Sequence, residues 1–262
     1  MKLGVGFVIF SGAEFLKPAL LNIRPFAHYI VGAYSLFSNT GEPAPAYLEN
    51  LLFQLRNDGL IDELVLHKHP STKVFEKMRL FNEDKYKLGQ ASCLRNGCSH
   101  YMLRDCDEFY FPEQIAKQWD IFSQFDCTVA PIQEYFHTPI SKVKGLSELF
   151  VPVIHKIELE YKRKSNAFGV LVDGKRIVQP IKTFKVFKPE ELTMHHMTCV
   201  RFNKRELLRK YEGHPHFIKK EGSLKNYLKS IEDFPIEQLE KVDDKFKILE
   251  YWKSEFGDIY NK

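Results

Sequence analysis

Asp105 and Asp107, with one residue between them, follow the apolar run Tyr101-Met102-Leu103 and precede Glu108-Phe109-Tyr110. In an extended segment residues i and i+2 point to the same side. The two carboxylates can therefore meet at one point in space, directly or through water. Hard oxygen ligands of this kind suit Mg2+ or Mn2+, ions that also bind phosphates. Alone, an Asp-x-Asp is more often a pair of solvated loop carboxylates, so its surroundings decide. Downstream stand two adjacent histidines, His195 and His196. Neighbouring residues project differently, so only one of them would join a given ion, and an imidazole ligand tilts the preference towards Mn2+. Glu134, in Pro131-Ile132-Gln133-Glu134-Tyr135-Phe136, is the candidate base for an acceptor hydroxyl.

These groups need a scaffold, and the hydrophobic pattern supplies one. Residues 2–10 read as a buried strand closed by Ser11-Gly12, and residues 13–23 as a helix. Residues 27–37 form a second strand ending at the turn Ser38-Asn39-Thr40-Gly41. A helix over 47–58, a strand over 61–66 and a helix over 85–97 follow, before the strand 101–104 that delivers the aspartates. Beyond them the pattern predicts a helix over 113–125 and a strand over 126–132, with Glu134 in the loop after it. Aromatic-basic strands turn at Asp173-Gly174, and helices span 205–212, 224–232 and 236–252. The alternation predicts an α/β fold: a Rossmann-type, mostly parallel sheet flanked by helices, with a helical C-terminal extension. The expected division is a main domain over 1–203 and a helical extension over 204–262 packed on its core.

With 262 residues and 44% hydrophobic content, the chain can bury a substantial core. No apolar run reaches the roughly 18 residues of a spanning helix. The N-terminal stretch reads as a first strand rather than a signal peptide, because Glu14 follows it closely. Five cysteines, an odd number without repeated spacing, fit reduced thiols in a cytoplasmic protein. The net charge of +4 is uneven: segments 155–189 and 201–229 each carry nine Lys/Arg against three acids. Such blocks are either solvated faces or docking surfaces for an anionic partner such as DNA.

Taken together, the motifs resemble those of GT-A-fold glycosyltransferases, family-2-like members that use a nucleoside diphosphate sugar. The resemblance covers most of residues 5–203. It is carried by Phe7-Val8-Ile9-Phe10-Ser11-Gly12-Ala13-Glu14, by Tyr29-Ile30-Val31-Gly32-Ala33-Tyr34, and by Lys87-Leu88-Gly89-Gln90-Ala91 before Asn96-Gly97. Asp105-Cys106-Asp107-Glu108-Phe109, Phe184-Lys185-Val186-Phe187 and Met194-His195-His196-Met197 complete it. The resemblance implies that Asp107 and Asp105 hold Mn2+ or Mg2+ against the donor diphosphate, with His196 completing the set and His195 as the alternative. It implies a donor pocket bordered by Ser11, Gly12, Glu14, Tyr34 and Lys87, with Asp105 touching ribose. Glu108 would orient the ligands from behind.

The resemblance implies a saccharide or glycoconjugate hydroxyl as acceptor. The basic segments add a sharper variant, in which Lys162-Arg163-Lys164, Lys175-Arg176 and residues 201–210 bind DNA so that a modified base is glycosylated. Two rivals are a noncatalytic nucleic-acid-binding protein on the same fold and an Asp-nucleophile phosphatase. The phosphatase ranks low, since its Asp-x-Asp would belong to the first strand and Glu108-Phe109 follows here.

Overall fold

The computed structural model describes residues 1–72, 74–162, 168–212 and 223–257. Four strands form its parallel block: β1 (Leu3–Ile9), β2 (Tyr29–Tyr34), β3 (Glu63–Leu66) and β4 (His100–Asp105), in the order β4-β1-β2-β3. They are largely apolar where they cross the sheet, with β-branched residues in β1, β2 and β3 and Tyr101-Met102-Leu103 in β4. Helices α1 (Leu16–Ile23), α2 (Leu48–Asn57) and α3 (Phe75–Arg95) make the crossovers. The order in which strands are added reverses between the parallel β1 and β4, the place where open α/β sheets hold ligands beyond the carboxyl ends of their strands.

The turn at residues 106–107 leads from β4 into β5 (Glu108–Phe109), followed by the short helices α4 (Pro112–Lys117) and α5 (Trp119–Phe122). Strand β6 (Cys127–His137) is the second organising element. It pairs with β7 (Ser141–Val143) and β8 (Phe150–Lys156) in antiparallel fashion, and with β11 (Phe184–Val186) and β12 (Met194–Val200) in parallel. β8 also pairs with β4, joining both halves into one sheet, while β9 (Glu160–Tyr161) and β10 (Val178–Gln179) form a separate ribbon. The longest ladders are parallel, as the sequence pattern predicts.

Helices α6 (Lys204–Glu212), α7 (Ser223–Glu232) and α8 (Ile248–Phe256) follow β12. One expectation fails. Residues 236–252 are not a continuous helix: Leu239–Lys241 form strand β13, paired antiparallel with β7. The last helix is part of the main core. Trp252 is buried against Phe15, ring centroids 5.0 Å apart, and its indole N–H donates to the Glu14 carbonyl at 2.9 Å.

Helix α3 meets the sheet through an unusually close contact. The Tyr101 hydroxyl lies between Gly6 and Gly89, and a Cβ built on these glycines would stand 1.8 and 2.5 Å from its oxygen. Only glycine fits at either position. All five cysteines are free and buried, and no helix among the described residues is long and apolar enough to cross a membrane.

Candidate functional site

The Asp-x-Asp is held in place by backbone and cations together. The turn after β4 is tied to β12 by the Met197 N–H, which donates to the Asp107 carbonyl at 2.8 Å. Strand β12 then aligns with β5 on one side and β6 on the other. His196 faces Glu108 and Glu134, while His195 faces Phe109 and Gln133. Register partners share a face of the sheet. Glu108, His196 and Glu134 therefore form one row on the side of the aspartates. Glu134 stands beside His196, inside a long strand rather than in the expected loop.

Asp107 is nearly enclosed. Its Oδ2 accepts from Arg201 Nη2 at 2.8 Å and from Lys210 Nζ at 2.9 Å. Burial alone would push this carboxyl up, but Lys210 and Arg201 outweigh it and hold it well below the usual carboxylate range. Lys210 is itself fixed by the carbonyl and hydroxyl of Thr198, which an irregularity in β12 turns towards it. Asp107 Oδ1 faces His196 Nε2 at 3.8 Å. Neither atom has a hydrogen bond among the described residues. Removal from water keeps His196 neutral, with its pKa pushed down to about 4, so the ring retains a lone pair for a metal.

Asp105 and Glu108 share another cation. Arg176 Nη2 lies 2.8 Å from Asp105 Oδ2 and 2.5 Å from Glu108 Oε1. The Asp105 backbone N–H also donates to Glu108 Oε2. Burial pushes Glu108 up to about 7 against the opposing pull of Arg176. Glu14 is completely buried and rises to about 7 for the same reason, with Arg201 Nε 3.6 Å away. Gly12, in a left-handed conformation at φ 75°, brings this loop against Cys106 and Arg201.

A divalent ion fits this donor set through few protein bonds. The 3.8 Å between the Asp107 carboxylate and the His196 imidazole is short enough that these two residues would hold a divalent ion together. Asp105, with its side chain 45% exposed, adds an oxygen that solvent or a phosphate reaches. No group of three or more metal-ligating side chains is assembled among the described residues. The remaining ligands would then be water and substrate oxygens, a usual arrangement for Mg2+.

The remaining expected residues fall unevenly. Ser11 is half-buried at the end of β1. The Tyr34 hydroxyl points to Glu49 on α2, 3.4 Å away, rather than to the aspartates. The 38–41 segment is a hydrogen-bonded turn, with Gly41 N–H donating to the Ser38 carbonyl. Lys87 is on the exposed side of α3, whereas Lys85, two residues earlier, is 4% exposed. Burial depresses Lys85 to about 8, with the field of Asp105 acting in the opposite sense. No ion pair or hydrogen bond to Lys85 occurs among the described residues. His195 lies on the opposite face of β12 from the aspartates, its Nδ1 2.9 Å from the Tyr135 hydroxyl.

The sequence reading missed Lys85 and placed Arg176, Arg201 and Lys210 on a DNA-facing surface. Arg176, Arg201 and Lys210 belong to the two basic segments but turn inward to the acidic row instead of forming a surface stripe. Residues 163–167 and 213–222 of those segments, including Arg163 and Lys164, lie outside the described residues.

No protein-family model matches the chain, and no curated protein matches its sequence. Its fold is similar to that of S. aureus TarS 1–349, at 8% identity and a TM-score of 0.45, over 76% of this chain and 61% of that one. It is similar to the inositol-1-phosphate CTP transferase of T. maritima, at 12% identity and a TM-score of 0.43, over 84% of this chain and 98% of that one. GalNAc-T7, solved with UDP, GalNAc and Mn2+, matches at 11% identity and a TM-score of 0.46, over 99% of this chain and 57% of that one. The chain spans about three fifths of the length of the TarS fragment.

Proposed function

We propose that this protein transfers a sugar from a nucleoside diphosphate sugar to an acceptor hydroxyl on a saccharide or glycoconjugate. The observation that carries this reading is the row Glu108, His196 and Glu134 laid beside Asp105 and Asp107 at the β1–β4 crevice. With Lys85 as a buried cation for phosphate, such a row combines an oxygen–imidazole pair for Mn2+ or Mg2+ and a carboxylate for proton transfer. The motif resemblance to GT-A-fold transferases agrees with it.

When bound, the ion would supply positive charge next to a departing diphosphate; Asp107 and His196 would hold it, with Asp105 acting through water. The protein's own groups do the rest. Lys85 makes no ion pair or hydrogen bond among the described residues, feels only the field of Asp105, and is the cation most ready to receive a phosphate oxygen. Arg201 and Lys210 fix Asp107 so that Oδ1 stays turned to His196. Glu134 accepts the acceptor proton on its carboxylate. Burial raises its pKa, with Lys210 opposing, and a raised pKa makes a stronger base. Glu14 braces Arg201 from the β1 loop.

The deciding experiment is calorimetric titration with a panel of nucleoside diphosphate sugars, with Mn2+ and with chelator. Metal-dependent binding of one donor is the expected result. Absence of binding across the panel by folded protein would refute the reading. A modified DNA base is the alternative acceptor, but Arg176, Arg201 and Lys210 lend it no support because their charges are spent internally.

A further inference from the structure

On the face of β12 turned away from the aspartates, a cavity of about 300 Å³ lies between the β6–β12 pair and residues 242–246. Phe111, Tyr135, His195 and Phe246 provide flat walls. Phe111 and Phe246 stack with ring centroids 5.3 Å apart, and the Lys245 ammonium sits 5.1 Å above the Phe111 ring. A volume near 300 Å³ is at the lower end of small-molecule sites.

The polar chemistry of the walls is incomplete. His195 is 6% exposed, and its Nε2 is buried without a hydrogen-bond partner. Its Nδ1 pairs with the Tyr135 hydroxyl. If the phenol donates, the Nε2–H is left over; if the imidazole donates, the phenol O–H is left over. In either tautomer the pair retains one donor without an acceptor. At the rim stand Lys142, which meets the exposed Glu240 at 3.3 Å, and the exposed Lys245, against a single lining carboxylate, Asp243. An unspent donor, the Lys245 ammonium and aromatic walls together call for an acceptor-bearing anion with a flat apolar body.

We propose that this cavity is a second ligand site, separate from the Asp-x-Asp centre, that takes a small aromatic carboxylate against Phe111, Phe246 and the His195–Tyr135 pair. The ring lies on the aromatic wall, the carboxylate answers the leftover donor, and Lys245 offsets its charge. His195 and His196 are successive residues of one strand, so the site adjoins the proposed metal ligand through the backbone alone. This inference does not depend on the transferase reading.

The test uses 4-fluorobenzoate as probe, followed by 19F NMR titration of the full chain. Saturable binding is expected, weakened at least ten-fold by Lys245→Gln and by His195→Phe, and unchanged in His196→Ala. Fluorobenzene, lacking the charge and acceptor, should bind at least ten-fold more weakly. Lys245 is exposed, so its variant reports on binding even if His195→Phe fails to fold. Absence of saturable binding, binding indifferent to Lys245→Gln, or equal binding of fluorobenzene would each overturn the proposal.

Discussion

Replacing Asp107 by asparagine would leave Arg201 and Lys210 gathered around a neutral amide. Removing one partner of a buried ion pair costs about 3 kcal/mol or more, so Asp107→Asn should lower stability to urea as well as metal affinity. His196→Ala has no such burden and should weaken Mn2+ binding while shifting the urea midpoint little. Equal losses of stability in both variants would contradict this division of labour. Lys85 makes the opposite forecast. A buried ammonium without a partner opposes folding, so Lys85→Met should stabilise the free protein by about 1–3 kcal/mol while weakening nucleotide binding. Lys87→Met should do neither. The folded Lys85 releases its proton near pH 8 and the unfolded lysine near 10.5. The unfolded state therefore binds more protons between these values, and wild-type stability rises across that window. The stability gap to Lys85→Met should be full below pH 8 and close towards 10.5; a constant gap would place the charge elsewhere.

At the level of elements, much could be read directly and some could not. Strand β1 announced itself by its apolar run and its Ser11-Gly12 stop, and the turn after β4 by its acids. Helix α3 begins ten residues before the expected start, because residues 75–84 carry mixed polar composition without a clear stripe. The 113–125 helix divides at Gln118 into α4 and α5. Strand β13 was illegible locally: its pairing with β7, reinforced when the Val242 N–H donates to the Ile140 carbonyl, overrides a helical pattern. The row across β5, β12 and β6 depends on register between segments far apart in sequence, and no local spacing encodes it. Lys85 and Lys87 differ only by which side of α3 they occupy. One element joint is testable by acid. Asp126 accepts from the backbone N–H groups of Lys182 and Thr183 and pairs with Lys156 at 2.8 Å, pinning the approach to β11. The Lys156 contact and these donors lower its carboxyl to about 2. Its stabilisation is complete above the unfolded value of 3.8 and disappears as pH falls through 2. Asp126→Asn should therefore unfold more easily at pH 6, with the difference from wild type vanishing near pH 2.

For the molecule as a whole, the final helix serves the first loop. Trp252→Ala removes a core indole and the hydrogen bond to the Glu14 carbonyl, and should cost about 3–5 kcal/mol. Because Glu14 lies beside Arg201, the same variant should also weaken donor binding, a loss read by calorimetry at temperatures where the variant remains folded. Unchanged donor affinity would mean that the C-terminal part supports stability alone. Ile248 and Trp252 of the C-terminal part share a core with β1.

The slot around Tyr101 carries a consequence for how such chains vary through evolution. At Gly89 the offending atom is the hydroxyl at 2.5 Å, while the ring carbon behind it stands at an ordinary 3.6 Å. At Gly6 the ring carbon itself is 2.7 Å away. Alanine at 89 should thus become acceptable once Tyr101 is phenylalanine, whereas alanine at 6 should stay forbidden in either background. Among relatives, position 89 would drift in step with 101, and position 6 would remain fixed.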